Sequence, residues 1–575
     1  MNHTCNYKNI RKRSINGFFI GMAVCAGVLL ALTPSLTLSV QASNLRSLTT
    51  QVPTSHTSAT ATLTVSVTNA SDVVNGDTSN IQSLLANPGP DGISFREALT
   101  AANGTSGSKA IVFDPALLGT TITIAANGDL LLLASGNLTI TGDIDQDGQP
   151  DITLDGHLCH AGLCSPGLSI VSSDNTIMGL RFVEFESASV EIACPDSACG
   201  TKRFVNERIL NNVISSSRAW GISIETGGLA QPDDIPLLSD ILFQDILVSG
   251  NTISTTGPNL YIAPAVGGAK RNQMIGVTIS NNRLYSTAEL AVGVNVADAD
   301  SAYFGIPGPI QYSDDNLIQN LTISDNQIEA PNGFGISIYD SNYGNRNNRL
   351  LDLAIIGNTV TNCRFAAIEV GASASGGMER GTNNNVVQNV LIQNNVIDRV
   401  WRGIRLLTAH SGIMGDAGSQ GNTMENVTVT GNVITNFSDD GITMTGSVSG
   451  DSLLTHNTLS QVTLHDNVLQ RIMTPAAGFG IFVTGGESWP SGPAVNNTVS
   501  GLSIYNNTIE GAYNGISIYG GMGFGVQGNQ VILTRLAGND LERSILPLEI
   551  QNNIRGASGN FVEWPWHLYL PVVVN

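Results

Sequence analysis

Four ionisable side chains sit where alternating apolar runs would hold them in this 575-residue chain: Glu369 in AAIEV, Arg405 in GIRLL, and Asp439 and Asp440 in NFSDDGITM. Two carboxyl groups held apart can serve a hydrolysis as acid and base, one protonating a leaving oxygen while the other activates water. Glu369, Asp439 and Asp440 are therefore the catalytic candidates, with Arg405 as the cation beside Glu369. The simpler readings are a structural Glu369–Arg405 salt bridge and an ordinary Asp-Asp-Gly turn. Around them Tyr339, Trp401, Arg402, His410, Glu487 and Trp489 form the candidate substrate-binding set, because aromatic faces pack on sugar rings while their polar tips reach hydroxyls.

A second chemistry is written at 143 to 155, DIDQDGQPDITLD, where Asp143, Asp145, Asp147 and Asp151 alternate around Gly148. Carboxylates so spaced can face one hard cation, and the stretch resembles the Asp-rich calcium loops of thrombospondin type 3 and dockerin-like repeats. It departs from them at the twelfth position, where Leu154 replaces Glu. A structural calcium ion is the expected cofactor, competing with a solvated polar turn, and no organic cofactor is expected. Two cysteine pairs of equal spacing, Cys159 with Cys164 and Cys194 with Cys199, read as oxidised loop staples in an exported chain. Zinc held by Cys159, His160 and Cys164 with the second pair is the alternative. Cys363 is left as a buried thiol.

The elements that must position these groups repeat. NNVI, GNTI, NNRL, DNQI and related tetrads place Asn212, Asn251, Asn282, Asn326, Asn358, Asn395, Asn432, Asn467, Asn507, Asn529 and Asn553 after one alternating run. A second run such as GISI, AIEV or GIRL follows. Period-two runs rich in β-branched residues are strands, and self-similarity of this kind marks a solenoid whose coils bury their apolar faces against neighbours. Asn507, Asn529 and Asn553 are separated by 22 and 24 residues, which is taken as the length of an undecorated coil. By that measure the other coils carry ten to twenty extra residues after the second run, at about 226 to 240, 298 to 313, 340 to 349, 371 to 385, 408 to 421, 446 to 457 and 485 to 496. Stacked insertions should form a wall, and the outward side chains of the second strand should line an open groove beside it.

From about 120 to 555 these coils resemble the right-handed parallel β-helix of the pectate lyase and polygalacturonase superfamily, in which an inward Asn at one turn of every coil forms a ladder. The fold class expected is all-β, a right-handed parallel β-helix (solenoid) with an N-terminal helical cap. The run Ile93-Ser94-Phe95-Arg96-Glu97-Ala98 resembles the Cys-Ser-Leu-Arg-Glu-Ala signature of secreted β-helix proteins, with Ile93 in place of the cysteine. Ser94 and Glu97 fit a capping box. Asp439 and Asp440 resemble the paired Asp of polygalacturonases, whose Gly-His-Gly and Arg-x-Lys elements are missing here. Similar β-helix lyases use a basic residue to remove a proton, for which Arg402, Arg405 and Arg380 are available.

Composition bounds the rest. A formal charge of −20, with 26 Lys and Arg against 46 Asp and Glu, disfavours a nucleic-acid partner. Residues 1 to 42 read as a signal peptide, with basic KNIRKR, an apolar core from Phe18 to Leu32 and Val40-Gln41-Ala42 at the cleavage site. The remaining divisions expected are a Ser/Thr-rich leader at 43 to 66, an N-terminal cap at 67 to 119, the β-helix at 120 to 555 and an aromatic C-terminal cap or tail at 556 to 575. No transmembrane span is expected in the mature chain, and a monomer is. Together these features point to a secreted or cell-surface protein that binds a polysaccharide or cell-surface glycan, with glycoside hydrolysis as the leading activity. A non-catalytic adhesin and a polysaccharide lyase are the alternatives.

Overall fold

A computed structural model of the chain describes residues 62–125, 130–159, 166–194, 202–215, 217–226, 238–298, 310–374, 379–411, 417–450, 452–471, 478–488 and 492–563. Its strands pair in parallel from coil to coil into two long sheets and a short four-stranded one, a right-handed parallel β-helix. The coil from 385 to 421 shows the plan. Val386–Gln393 lies in the first sheet, Asn395 turns the chain, Val396–Leu407 forms the second sheet, an excursion follows, and Ser419–Gln420 returns to Asn422 of the next coil. Ile336, Ile368, Ile404, Ile442, Ile481 and Ile516 stack in register inside the lumen without exposed surface.

Two asparagine ladders, not one, hold the turns. In the first, Asn432 Nδ2 donates to the carbonyl of Ile392 (2.9 Å) and to Oδ1 of Asn467 (2.9 Å), while its own Oδ1 accepts from the backbone N–H of Asn395 (3.0 Å). The same pattern runs from Asn212 through Asn507 and ends on Asn539. The second ladder comprises Asn272, Asn316, Asn348, Asn385, Asn422, Asn457, Asn497, Asn529 and Asn560, and closes on Asn553. Asn529 and Asn553 thus belong to the other corner of the coil from Asn507. The 22 residues from Asn507 to Asn529 run from one corner of a coil to the other, and the 24 to Asn553 end on a residue that accepts from Asn560 seven residues on, so neither is a coil length. A bare coil is 31 or 32 residues, as from Asn251 to Asn282 or Asn507 to Asn539.

The residue before each ladder Asn explains the alternation of Asn, Gly and Asp there. Asn394, Gly431, Asp466 and Asn506 all have φ between 55° and 65°, the left-handed region that these residue types tolerate best.

Two short helices, α1 (Ile81–Ala86) and α2 (Phe95–Asn103), cover the first coil. The capping box is present: Ser94 N donates to Glu97 Oε2 (2.8 Å) and Glu97 N to Ser94 Oγ (3.2 Å). Glu97 also accepts from the backbone of Asn75 and Gly76, and Arg96 makes a two-pronged bond to buried Asp72. Ile93, which stands in for a cysteine, is itself buried. The first strand, Leu63–Val67, begins inside the stretch read as a leader and pairs with Lys109–Phe113, so the first sheet starts upstream of residue 120 and the second begins at Thr121–Thr123. Residues 1–61 and the tail from 564 lie outside the described residues.

Replacing Asn432 with Ala strips an acceptor from Asn395 and a donor from Ile392 in a dry interior. The expected loss is about 1 to 3 kcal/mol, read as a lower denaturation midpoint; an unchanged midpoint would show the ladder to be dispensable.

Candidate functional site

The outward positions of the second strand stack as Ser337, Glu369, Arg405, Thr443, Phe482, Ser517 and Glu549. The expected open groove is not what lies over them. Glu369 is 2% exposed, Asp440 3% and Tyr339 6%, and Ser223, Glu225, Thr443, Thr445, Phe482 and Tyr519 are buried as well. The described residues that open the excursions stack at one corner, as expected, directly after the strand. Asn342, Ala374, His410 and Val448 pair in parallel immediately after it, and Val448 continues to Glu487. The outward face therefore has its own covering layer. Its half-exposed members are Trp401, Arg402, Arg405, His410, Asp439 and Glu487.

Within that layer the expected residues meet in two linked groups. Arg405 Nη1 donates to Glu369 Oε2 (2.9 Å), and the Tyr339 hydroxyl donates to the other oxygen. Gly371 makes room for this tyrosine, since a side chain there would run into its ring. One coil further, Arg402 bonds Asp439 through Nε (2.9 Å) and approaches Asp440 Oδ2 (3.3 Å), while Thr443 Oγ1 donates to Asp440 Oδ2 (2.8 Å). Asp440 Oδ1 is buried with no hydrogen-bond partner. Burial raises the Asp440 carboxyl to about 7, opposed by the Arg402 cation and reinforced by Asp439. His410 is pushed down to about 4 by burial and by the adjacent Arg405, so its ring is neutral at neutral pH.

Three features here carried no motif. Arg471, just past Val468–Gln470, reaches under this turn: Nη2 donates to Ser438 O (2.7 Å), Nε and Nη1 have no partner, and burial lowers its pKa despite Asp439 and Asp440. Phe334, Phe365 and Trp401 stack from coil to coil at centroid distances of 5.0 and 6.3 Å, and the Arg402 guanidinium lies 4.3 Å from the Trp401 ring centre. Phe334 and Phe365 could have been found by aligning coils on the true period. Arg380 lies elsewhere, bound to Asp314 and the Gly344 carbonyl. Trp489 lies outside the described residues.

The Asp-rich loop brings Asp143, Asp145 and Asp151 together, with one oxygen from each within 4.8 Å of the others. Asp147 is not in that group and accepts instead from Gln149 N (2.7 Å). Asp143 Oδ1 is buried without a partner, so a cation bound by these three would satisfy it. Cys159 is buried and disulfide-bonded, which removes it from a zinc site; Cys164, Cys199 and the Cys194 side chain lie outside the described residues. Cys363 is a free, buried cysteine whose thiol is pushed up to about 12 by burial.

No family model and no curated protein matches the chain. Among solved structures it is similar to the Dettilon tailspike protein, with 12% identity, TM-score 0.35 and 79% of this chain covered; the chain spans 64% of the tailspike's length. It is also similar to PfbA, a surface adhesin of Streptococcus pneumoniae, with 11% identity, TM-score 0.34 and coverage of 81% of this chain and 88% of that one. The A-module of the mannuronan C-5 epimerase AlgE4 of Azotobacter vinelandii gives 11% identity, TM-score 0.34 and coverage of 81% and 94%. At these identities and TM-scores the likenesses carry no argument about activity, and the fold rests on the strand pairing described above. Among the described residues no helix is long and apolar enough to cross a membrane.

A carboxyl raised on folding holds its proton where the unfolded chain has lost it, so stability falls as pH rises from the unfolded value near 4 to about 7 for Asp440. Asp440→Asn should remove that slope. The melting temperature of the variant should gain on the parent across this window, and parallel curves would contradict the protonation assigned to Asp440.

Proposed function

We propose that the chain is an exported carbohydrate-active protein that holds an extended glycan against the outer face of its second-strand stack and hydrolyses it. Asp440 carries the reading. It is a buried carboxyl raised to about 7 with one oxygen left unpaired, the protonation state a general acid needs near neutral pH. Glu369 is the second carboxyl. It lies two ladder steps from Thr443, the residue that binds Asp440, on the order of 10 Å and near the upper end of the separation used by inverting glycosidases. Asp439 and Arg402 sit at the half-exposed rim, Arg402 opposing a higher Asp440 pKa, and Trp401 offers an aromatic face beside them. Tyr339 and Arg405 orient Glu369, while His410, Glu487 and Trp489 remain substrate-binding candidates.

One observation favours a second reading, an extracellular or cell-surface adhesin without catalysis: Glu369 is fully paired with Arg405 and Tyr339 and only 2% exposed. A glycan array followed by reducing-end and unsaturated-product assays separates the two. Hydrolysis predicts new reducing ends without unsaturated product, an alkaline limb near pH 7 and a fall of roughly 10²-fold or more in kcat for Asp440→Asn and Glu369→Gln tested singly. Glycan binding without any cleavage supports the adhesin; unsaturated product supports a lyase; cleavage unchanged in both variants overturns the site.

Asp143, Asp145 and Asp151 are proposed to bind one structural calcium ion, with Asp147 as an outer member of the loop. Calorimetry should show one site, and added calcium should raise the melting temperature because it binds only the folded form. Melting insensitive to both calcium and chelator would leave the loop a polar turn.

A further inference from the structure

The Tyr339–Glu369 arrangement occurs twice on this face. Tyr519 holds the same outward position in its coil as Tyr339, and Glu549 the same position in the next coil as Glu369. The Tyr519 hydroxyl donates to Glu549 Oε2 (2.6 Å), as Tyr339 donates to Glu369. The two compartments are five paired strands apart along one continuous ladder, about 24 Å at the usual strand spacing.

The second compartment differs in ways that define its use. Glu549 is half-buried rather than sealed, and its hydrogen-bond partners are all neutral: Tyr519, Asn514 Nδ2 (2.6 Å) and Gln551 Nε2 (2.6 Å). Asn514 is 5% exposed, yet its Oδ1 has no partner. Flipping the amide would set that oxygen against the Glu549 carboxylate, so the orientation is fixed and the acceptor stays open. Phe479 and Phe482 stack at 4.8 Å, and Tyr519 meets them edge-on at 6.5 and 5.5 Å, with Phe479 still partly open. Apolar ring surface beside planar acceptors and amide donors is the chemistry that grips a sugar, whose faces are C–H and whose edges are hydroxyl. Among the described residues no arginine hydrogen-bonds the Glu549 carboxylate as Arg405 does Glu369, and the groups present are those of a binding site.

We propose that the Tyr519–Glu549–Asn514 compartment is a second carbohydrate-binding site for the same extended chain that occupies the Asp440–Glu369 site. This rests on the glycan reading of the first site. It adds that the ligand is a polymer long enough to touch both sites at once. A chain tethered at one site meets the other at high effective concentration, so affinity should step up with length rather than drift.

The test uses the full chain in the Asp440→Asn background, which prevents cleavage, titrated calorimetrically with cello-, xylo-, manno- and galacturono-oligosaccharides from disaccharide to decasaccharide. For any series that binds, affinity should rise by about 10- to 100-fold once the chain spans about 24 Å, and Glu549→Gln or Tyr519→Phe should erase that rise. Tyr519→Phe keeps the ring and removes only the hydroxyl, which guards against a variant that fails to fold. A featureless length profile, or a rise that survives both substitutions, removes the second site while leaving the first intact. Binding by none of the series overturns the glycan reading of the first site and this one with it.

Discussion

Most of this molecule hangs on the side-chain amide stacked at one corner of the coils from Asn212 onward and at a second corner from Asn272 onward. A parallel coil must turn sharply without leaving buried backbone N–H and C=O groups unpaired, and a turn cannot form a ladder with itself. The amide of Asn432 resolves both halves of that problem, taking the N–H of the coil before and giving to its carbonyl and to the next Asn. Because each amide needs the ones above and below, the ladders set the coil-to-coil register. That register places Glu369 over Arg405 and Arg405 over Thr443. A slip of one residue would turn every outward group into the lumen.

The ladders also explain why the ends differ from the middle. At the N-terminus the sequence commits two helices and three buried charged residues to closure: Glu97 gathers three backbone N–H groups, and Arg96 with Asp72 ties the cap to the chain upstream. Arg96 and Glu97, together with buried Phe95, fix the helix, and buried Ile93 packs just before its cap. At the last described coil Leu548 and Ile550 hold lumen positions but are only partly buried. The second ladder ends there by folding Asn553 back onto Asn560.

The fold was legible because its signals are local and repeated: an amide at the turn, β-branched alternation, and a left-handed residue before each Asn. The coil length was misread because the two ladders share one sequence signature. NNTI at 506 and GNQV at 528 look alike, yet one opens the second sheet and the other the first. Alternation told correctly which side chains of the second strand face away from the lumen; it could not tell whether outward means wet. That depends on how an excursion lies over its strand, a tertiary matter that no period records. The Glu369–Arg405 pair and the meeting of Arg402 with Asp439 and Asp440 were accessible from strand register alone. Arg471 was not, because it reaches the site from past the end of another strand, with only Gly478 leaving space for it.

Burial of that polar group is the strongest physical reason to look for a function there. Further along the same face Phe482, Tyr519 and Met522 pack as an apolar cluster. Burying charges instead costs several kcal/mol of desolvation per ion before any pairing is counted, and an apolar replacement of similar volume is often as stable or more so. The coils from Glu369 to Arg471 nevertheless place Glu369, Asp440 and Arg471 under cover, with Asp439, Arg402 and Arg405 at its edge, leaving Asp440 Oδ1, Arg405 Nε and two Arg471 nitrogens without partners. A scaffold whose only task was to stack would gain by extending the apolar layer across these coils. Charged donors and acceptors held dry and unspent in these coils are what a ligand with hydroxyl and ring oxygens would complete.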